Sequence, residues 1–172
     1  MLTAAQENAL YAWIYGQTSI TTQWANQRAP EPAYPYAKLR VIAGPTREGF
    51  SDAKSDAFDD DTDSLTLTTK GPRLYTVTVD ICASSDVGGA NAQHYASLAE
   101  RGLEKSSVRL ALLEAGIALV EVLPPVDLDE TVNEEWVSRC KFDVRIRTNT
   151  TVEETGADYI NAFSATGTLT IS

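Results

Sequence analysis

After Thr3, the apolar residues Ala5, Ala9, Leu10, Trp13 and Ile14 recur mainly on one helical face. Thr3 and Gln6 have capping-box spacing and Gly16 is placed to end the run, so the pattern predicts a helix over Ala4 to Tyr15. Ser19 to Asn26 reads as a short strand or extended segment. Pro30, Pro32 and Pro35 make Arg28 to Tyr36 a non-helical connection, because proline fixes its own φ and restricts the residue before it. The period then drops to two. Over Tyr36 to Ala43, residues Ala37, Leu39, Val41 and Ala43 point one way and Lys38 and Arg40 the other, with Gly44-Pro45 expected to end the strand. Thr46 to Asp63 holds seven acids (Glu48, Asp52, Asp56, Asp59, Asp60, Asp61, Asp63) against two bases and is expected to be a loop, mobile or ordered only by a partner.

Ser64 to Ser84 is a long strand or a hairpin, with Gly71-Pro72 as turn or bulge. Within it Tyr75, Val77, Val79 and Ile81 alternate with Thr76, Thr78, Asp80 and Cys82. Gly88-Gly89 introduces a main helix over about Ala90 to Ala115, where Tyr95, Leu98, Ala99, Leu103, Leu110 and Leu113 recur near helical spacing and Gly116 ends the run. Ile117 to Leu123 reads as a strand stopped by Pro124-Pro125, and Asp127 to Glu135 as an acidic turn or short helix. Ser138 to Thr148 alternates cleanly, with Cys140, Phe142, Val144 and Ile146 inward and Arg139, Lys141, Asp143, Arg145 and Arg147 outward. A polar stretch from Asn149 to Asp158 precedes a last strand over Ala165 to Ile171. Neighbouring runs of strands point to an α+β fold: an antiparallel or mixed β-sheet flanked by helices, with long loops. With no internal repeat and no linker, residues 1–172 are expected to form a single domain.

Charge narrows the function classes. A net charge of −10 opposes an affinity-giving grip on nucleic acid, which needs a Lys/Arg surplus to displace counterions. It is compatible with DNA passing close by. No window approaches the roughly 18 apolar residues of a membrane helix, and the first residues lack the basic region of a signal peptide, so no membrane association or secretion is expected. Cys82 and Cys140 lie in no CxxC pair and inside strands; they are expected to be reduced core thiols, with a disulfide open only if their strands adjoin.

Catalytic constellations fail in turn. His94, the only histidine, has no nucleophile elbow beside it and is expected on the surface or partly packed. Asp59, Asp61 and Asp63 match the first positions of a calcium loop, but Ser64 stands where its glycine belongs and Lys70 where its glutamate belongs. Gly44 to Gly49 lacks the ending of a phosphate loop. One histidine and two separated cysteines do not make a zinc site. No catalytic residue, cofactor or metal is expected. One asymmetry remains: Lys38, Arg40, Arg139, Lys141, Arg145 and Arg147 gather six of fourteen bases on one sheet face if their strands share it. That face is a plain solvated surface, or a docking face for an acidic segment such as residues 48 to 63 of a neighbouring copy, with Asp59, Asp60, Asp61 and Asp63 among them, or, as a weaker option, a basic patch facing DNA in a channel.

The order of motifs carries a resemblance. Thr22-Gln23-Trp24-Ala25-Asn26-Gln27-Arg28-Ala29-Pro30-Glu31-Pro32, then Pro35-Tyr36-Ala37 and the strand Leu39 to Ile42, resembles a stretch of phage neck or tail-terminator proteins. Tyr75 to Asp80, the helix with Ala96, Leu98 and Leu110 to Leu113, Ala115-Gly116-Ile117, Glu135-Trp136 and Cys140 to Val144 follow in matching order, over roughly residues 5 to 148. The resemblance implies a structural virion protein without enzymatic activity: a homohexameric ring on the head-proximal end of the tail tube. Its partners would be other copies of itself, the tail tube protein and the head–tail connector, with DNA passing through unbound. It implies a place in the virion tail or neck, after assembly in the host cytoplasm. A neighbouring connector role, or a non-catalytic peptide- or protein-binding adaptor, is the alternative.

Overall fold

In the computed structural model, which describes residues 1–26, 30–49, 52–59, 64–84, 91–132 and 135–155, helix α1 spans Ala4–Thr18 and starts on the expected capping box. Gln6 N–H donates to Thr3 Oγ1 at 3.3 Å, and Thr3 N–H to Gln6 Oε1 at 3.0 Å. The helix does not stop at Gly16. It runs on to a cap at Ser19, whose φ of 56° turns the chain left-handed while its N–H bonds the Tyr15 carbonyl. Gly16 is an ordinary helical residue with open space where a Cβ would stand.

Strand β1 (Thr21–Trp24) pairs in parallel with β2 (Tyr36–Arg47). Ala37 and Leu39 are fully buried, as the alternation requires. β2 passes through Gly44-Pro45 instead of ending there, because two register shifts against β4 (Ser64–Ser84), at Val41/Ala43 and Ala43/Thr46, absorb the irregular dipeptide. Gly44 is required at this point: its φ is +111°, and a Cβ would lie 2.6 Å from the Leu74 carbonyl oxygen.

The expected loop from Thr46 to Asp63 contains strand β3 (Ala53–Asp59), paired antiparallel with the first residues of β4 from Ala53↔Lys70 to Asp59↔Ser64. Its alternation was hidden because the side chains described on it are all exposed and half are polar. Gly71-Pro72 makes no turn; β4 is one strand of 21 residues.

The main helix is two. α2 (Ala92–Gly102) starts on Asn91, whose side chain accepts from His94 N–H, and α3 (Ser106–Glu114) ends before Gly116. Between them Leu103, Glu104 and Lys105 bond back three residues, to Glu100, Arg101 and Gly102, so the helix tightens and stops. The Arg109 Nε donates to the freed Leu103 carbonyl at 2.6 Å and holds the break. The buried stripe is therefore Ala92, Ala96, Ala99, Leu103 and Leu112, while Leu110 and Leu113 are 56% and 61% exposed. Gly116, with φ +77°, leads into β5 (Ile117–Val122).

The acidic stretch from Asp127 to Glu135 is not a helix. It forms two short strands, β6 (Val126–Asp127) and β7 (Glu130–Val132), both paired to β8. β8 (Glu135–Thr155) extends well into the expected polar stretch. The expected strand over 165–171, the Gly88-Gly89 introduction, and Asp60, Asp61 and Asp63 lie outside the described residues. The sheet is mixed, in the order β1-β2-β4-β8-β5, with β3 on β4 and β6 and β7 on β8. The α+β expectation holds.

The chain divides into two compact units, residues Met1–Gly49 with Pro72–Asn149, and Phe50–Gly71 with Thr150–Ser172. The first holds the core. Leu10, Trp13 and Ile14 of α1 and the alanines of α2 cover Val77, Val79, Ile81, Phe142, Val144 and Ile146. Trp13 stands edge-on to Phe142 and donates its Nε1–H to the Ala99 carbonyl at 3.0 Å. Each large buried apolar side chain contributes about 1.5–3 kcal/mol. The second unit holds the β3–β4 pair and the end of β8, and on one face of that pair Phe58 and Leu67 are substantially exposed. Among the described residues no helix is long and apolar enough to cross a membrane.

Two glycine substitutions should move stability in opposite directions. Gly16→Ala should stabilise by about 0.5–1 kcal/mol, as alanine does in an open helical site. Gly44→Ala should destabilise by about 1–3 kcal/mol or more, from forced left-handed backbone plus the clash with Leu74. Denaturant midpoints at constant m-value measure both.

Candidate functional site

Side chains that alternate away from the core on β2, β4 and β8 share one outward face, and the six bases named from sequence lie on it. At one end it carries a small apolar cluster of Tyr36, Cys82 and Val137, buried beneath Tyr34, whose ring stacks on Tyr36 at 5.4 Å. Lys38 sits 5.0 Å over the Tyr36 ring and bonds Glu31 at 2.7 Å. The Tyr36 hydroxyl donates to the same Glu31 carboxylate. Bonding by Lys38, and then by Tyr36, holds Glu31 below the usual carboxylate range. Glu31 belongs to the proline-bearing connection, so that segment is tied down by charge as well as by restricted φ.

Arg139 is the centre of the face. Its guanidinium bonds Asp80 of β4 through two nitrogens, at 2.9 and 2.7 Å, and Glu130 of β7 through a third at 3.0 Å. Its backbone N–H donates to Asp129 at 2.9 Å. The bidentate pair fixes geometry as well as charge, and bonding by Asp80 raises the Arg139 pKa further. One residue thereby joins β4, β8 and the β6–β7 turn. Beside it Thr78 Oγ1 donates to Asp143 at 2.6 Å. Arg145 pairs with Glu121 of β5 at 2.8 Å, and Arg147 forks onto Glu48 just past the end of β2.

The face therefore gathers the six bases and neutralises four of them within the chain. Among the described residues, Arg40 and Lys141 are the two without an ion pair. Exposed pairs of this kind contribute about 0–1 kcal/mol each, so their chief effect is on the field the face presents. The partner acids Glu31, Glu121 and Glu130 are not legible in the sequence. Asp80 was legible, because it alternates outward on β4 between the two basic strands. Glu31, Glu121 and Glu130 come from connections and edges whose positions only the fold sets. Of the acidic run, Asp59 is the last residue of β3, and Asp60, Asp61 and Asp63 lie outside the described residues.

The thiols are far from reactive. Cys82 and Cys140 are buried and free, and burial raises both, Cys140 to about 12. His94 is exposed on α2. Among the described residues no group of His, Cys, Asp or Glu is arranged to hold a metal ion.

The family model of the phage neck terminator protein matches residues 5–171. The chain belongs to the phage neck terminator family. That family is one of structural proteins of the phage tail or neck. Among solved structures, this chain is similar to the sheath/tube terminator of an extracellular contractile injection system (PVC) in its extended state. The identity is 16% and the TM-score 0.47, with 99% of this chain and 65% of that chain covered. The neck terminator chain thus spans 65% of that neighbour's length. No curated protein matches it in sequence.

Replacing Lys38 by methionine should raise the Glu31 midpoint toward the ordinary value of about 4.3. The sign follows from linkage: a depressed folded pKa gives stability that is present above the unfolded value and lost as pH falls through the folded one. Acidification through that window should therefore cost the wild type more than Lys38→Met. Carboxyl-carbon NMR titration, with Glu31→Gln to assign the signal, reads the shift.

Proposed function

We propose that the chain is the subunit of a homohexameric ring that caps the tail tube, stops its growth and offers a docking face to the head–tail connector, without catalysis. The family match over residues 5–171 carries this reading, because it takes in the whole described sheet and the helices on it. Ring subunits need two different surfaces that meet head to tail and close. In this reading the ring assembles in the host cytoplasm, the DNA passes through unbound, and a net charge of −10 keeps that passage free of tight contacts.

The outward face serves as a docking surface. Arg40 and Lys141 supply its available charge, Lys38, Arg139, Arg145 and Arg147 its fixed framework, and Asp59, Asp60, Asp61 and Asp63 are the acids a neighbouring copy brings to it. Charge complementarity of this kind sets register and partner choice more than affinity. Reversing the two free cations together, Arg40→Glu with Lys141→Glu, should weaken capture of the tail tube protein or of a neighbour at least tenfold at low salt, with the fold intact by circular dichroism.

We also propose that the two units fold as one domain, since β4 and β8, 21 residues each, contribute to both. Calorimetry should show one transition whose calorimetric and van't Hoff enthalpies agree; two separate transitions would overturn this.

The ring itself is tested by light scattering after size exclusion, with the chain alone and with tail tube protein added. A discrete hexamer in either condition supports the reading. A monomer that binds no tube at any concentration removes it.

A further inference from the structure

Among the described residues, one edge of the sheet is left unpaired. β5 is the last strand of the order β1-β2-β4-β8-β5 and pairs only with β8 among the described residues. Its sequence, Ile117 to Val122, carries one charge, Glu121. Edge strands normally avoid pairing through charges, proline, bulges or a covering element. Here the bulge at Leu119/Glu121 lies against β8, and α3 packs with β5; Leu110 and Leu113 of α3 are more than half exposed, as β5's Val120 nearly is. A groove of about 520 Å³ lies between α3 and β5, lined by Arg109, Leu112, Leu113 and the whole of β5. Arg109 spends its Nε on the Leu103 carbonyl. Its two terminal nitrogens have no partner among the described residues.

The same chain carries a strand of matching form. β3 pairs only with β4, and its other edge is open among the described residues. It is seven residues long against six for β5. In its register Lys54, Asp56 and Phe58 share a face with Thr69, Leu67 and Leu65. Phe58 is 49% exposed, and Asp56 is exposed with no ion pair among the described residues. The spacings agree. Arg109 and Leu113 are one helical turn apart, about 5–6 Å. Asp56 and Phe58 are two strand positions apart, about 6.5–7 Å. An anion and an aromatic ring on one strand thus meet a cation and a leucine on the helix beside the open edge.

We infer that β3 of one copy adds to β5 of the next, with Phe58 packed on Leu113 and Asp56 paired to Arg109. The two surfaces differ, so the contact is heterologous and repeats from copy to copy, as a ring requires. Strand addition supplies main-chain hydrogen bonds, and the side chains over the groove set the register. The inference rests on the ring reading and names its seam.

The experiment separates the two. Full-length Phe58→Cys and Leu113→Cys are prepared separately, mixed at high concentration and oxidised; the native thiols are buried. A covalent dimer formed several-fold more in the mixture than in either protein alone is the expected result. Its absence overturns the seam. The wild-type mass, measured in parallel, judges the ring: a hexamer without the mixed dimer keeps the ring and rejects this seam, and a mixed dimer without closure keeps the seam and rejects the ring. Charge reversal adds a second arm. Asp56→Arg and Arg109→Asp should each cut cross-linking of the cysteine pair at least fivefold, and the two together should restore it. Equal cross-linking in all combinations would overturn the Asp56–Arg109 assignment.

Discussion

The fold depends on how closely α1 and α2 approach the middle of the sheet. Ala92, Ala96 and Ala99 present almost no bulk, so the larger groups Leu10, Trp13, Ile14 and Phe142 fill the space between layers. Trp13 is the pin, since its ring meets Phe142 and its N–H closes on the Ala99 carbonyl. A buried polar group without a partner would cost about 1–3 kcal/mol; this one is satisfied across the two helices. Once this layer is set, period-two alternation fixes which residues of β2, β4 and β8 point away from it, and the outward face follows.

That face behaves differently from a plain basic patch. Six bases converge on it, yet acids drawn from β4, β5, β7 and the connections neutralise four. Arg139 holds three segments together while contributing little net charge. Partners at such a face meet a patterned surface of modest potential, suited to choosing register and not to holding polyanions.

The break between α2 and α3 has the widest consequence beyond the core. An unbroken helix would have kept one stripe against the sheet. Three short-range bonds and the Arg109–Leu103 contact turn the chain instead, and Leu110 and Leu113 come out to solvent, with Leu113 lining the groove beside β5. Exposed leucines of this kind are costly in a monomer and useful in an assembly.

Much was legible in the residues alone. The capping box of α1, the alternation of β4 and β8, the glycine end of α3 and the α+β class all follow from local rules: the side-chain period, the cap chemistry and the φ demanded by a glycine. The motif order alone pointed to the terminator family, which the match over residues 5–171 bears out. What the sequence could not decide depended on distant atoms. β3 is a strand because β4 offers it a partner, although its own composition reads as a loop. Gly44-Pro45 is passed through because bulges against β4 absorb it. The helix splits because Arg109 reaches back to a carbonyl six residues earlier. Four of the six bases on the face are neutralised because acids from five separate segments arrive there. Local periodicity fixes what a residue prefers; only tertiary pairing decides which preferences are met, because hydrogen-bond and charge partners are chosen by position in space.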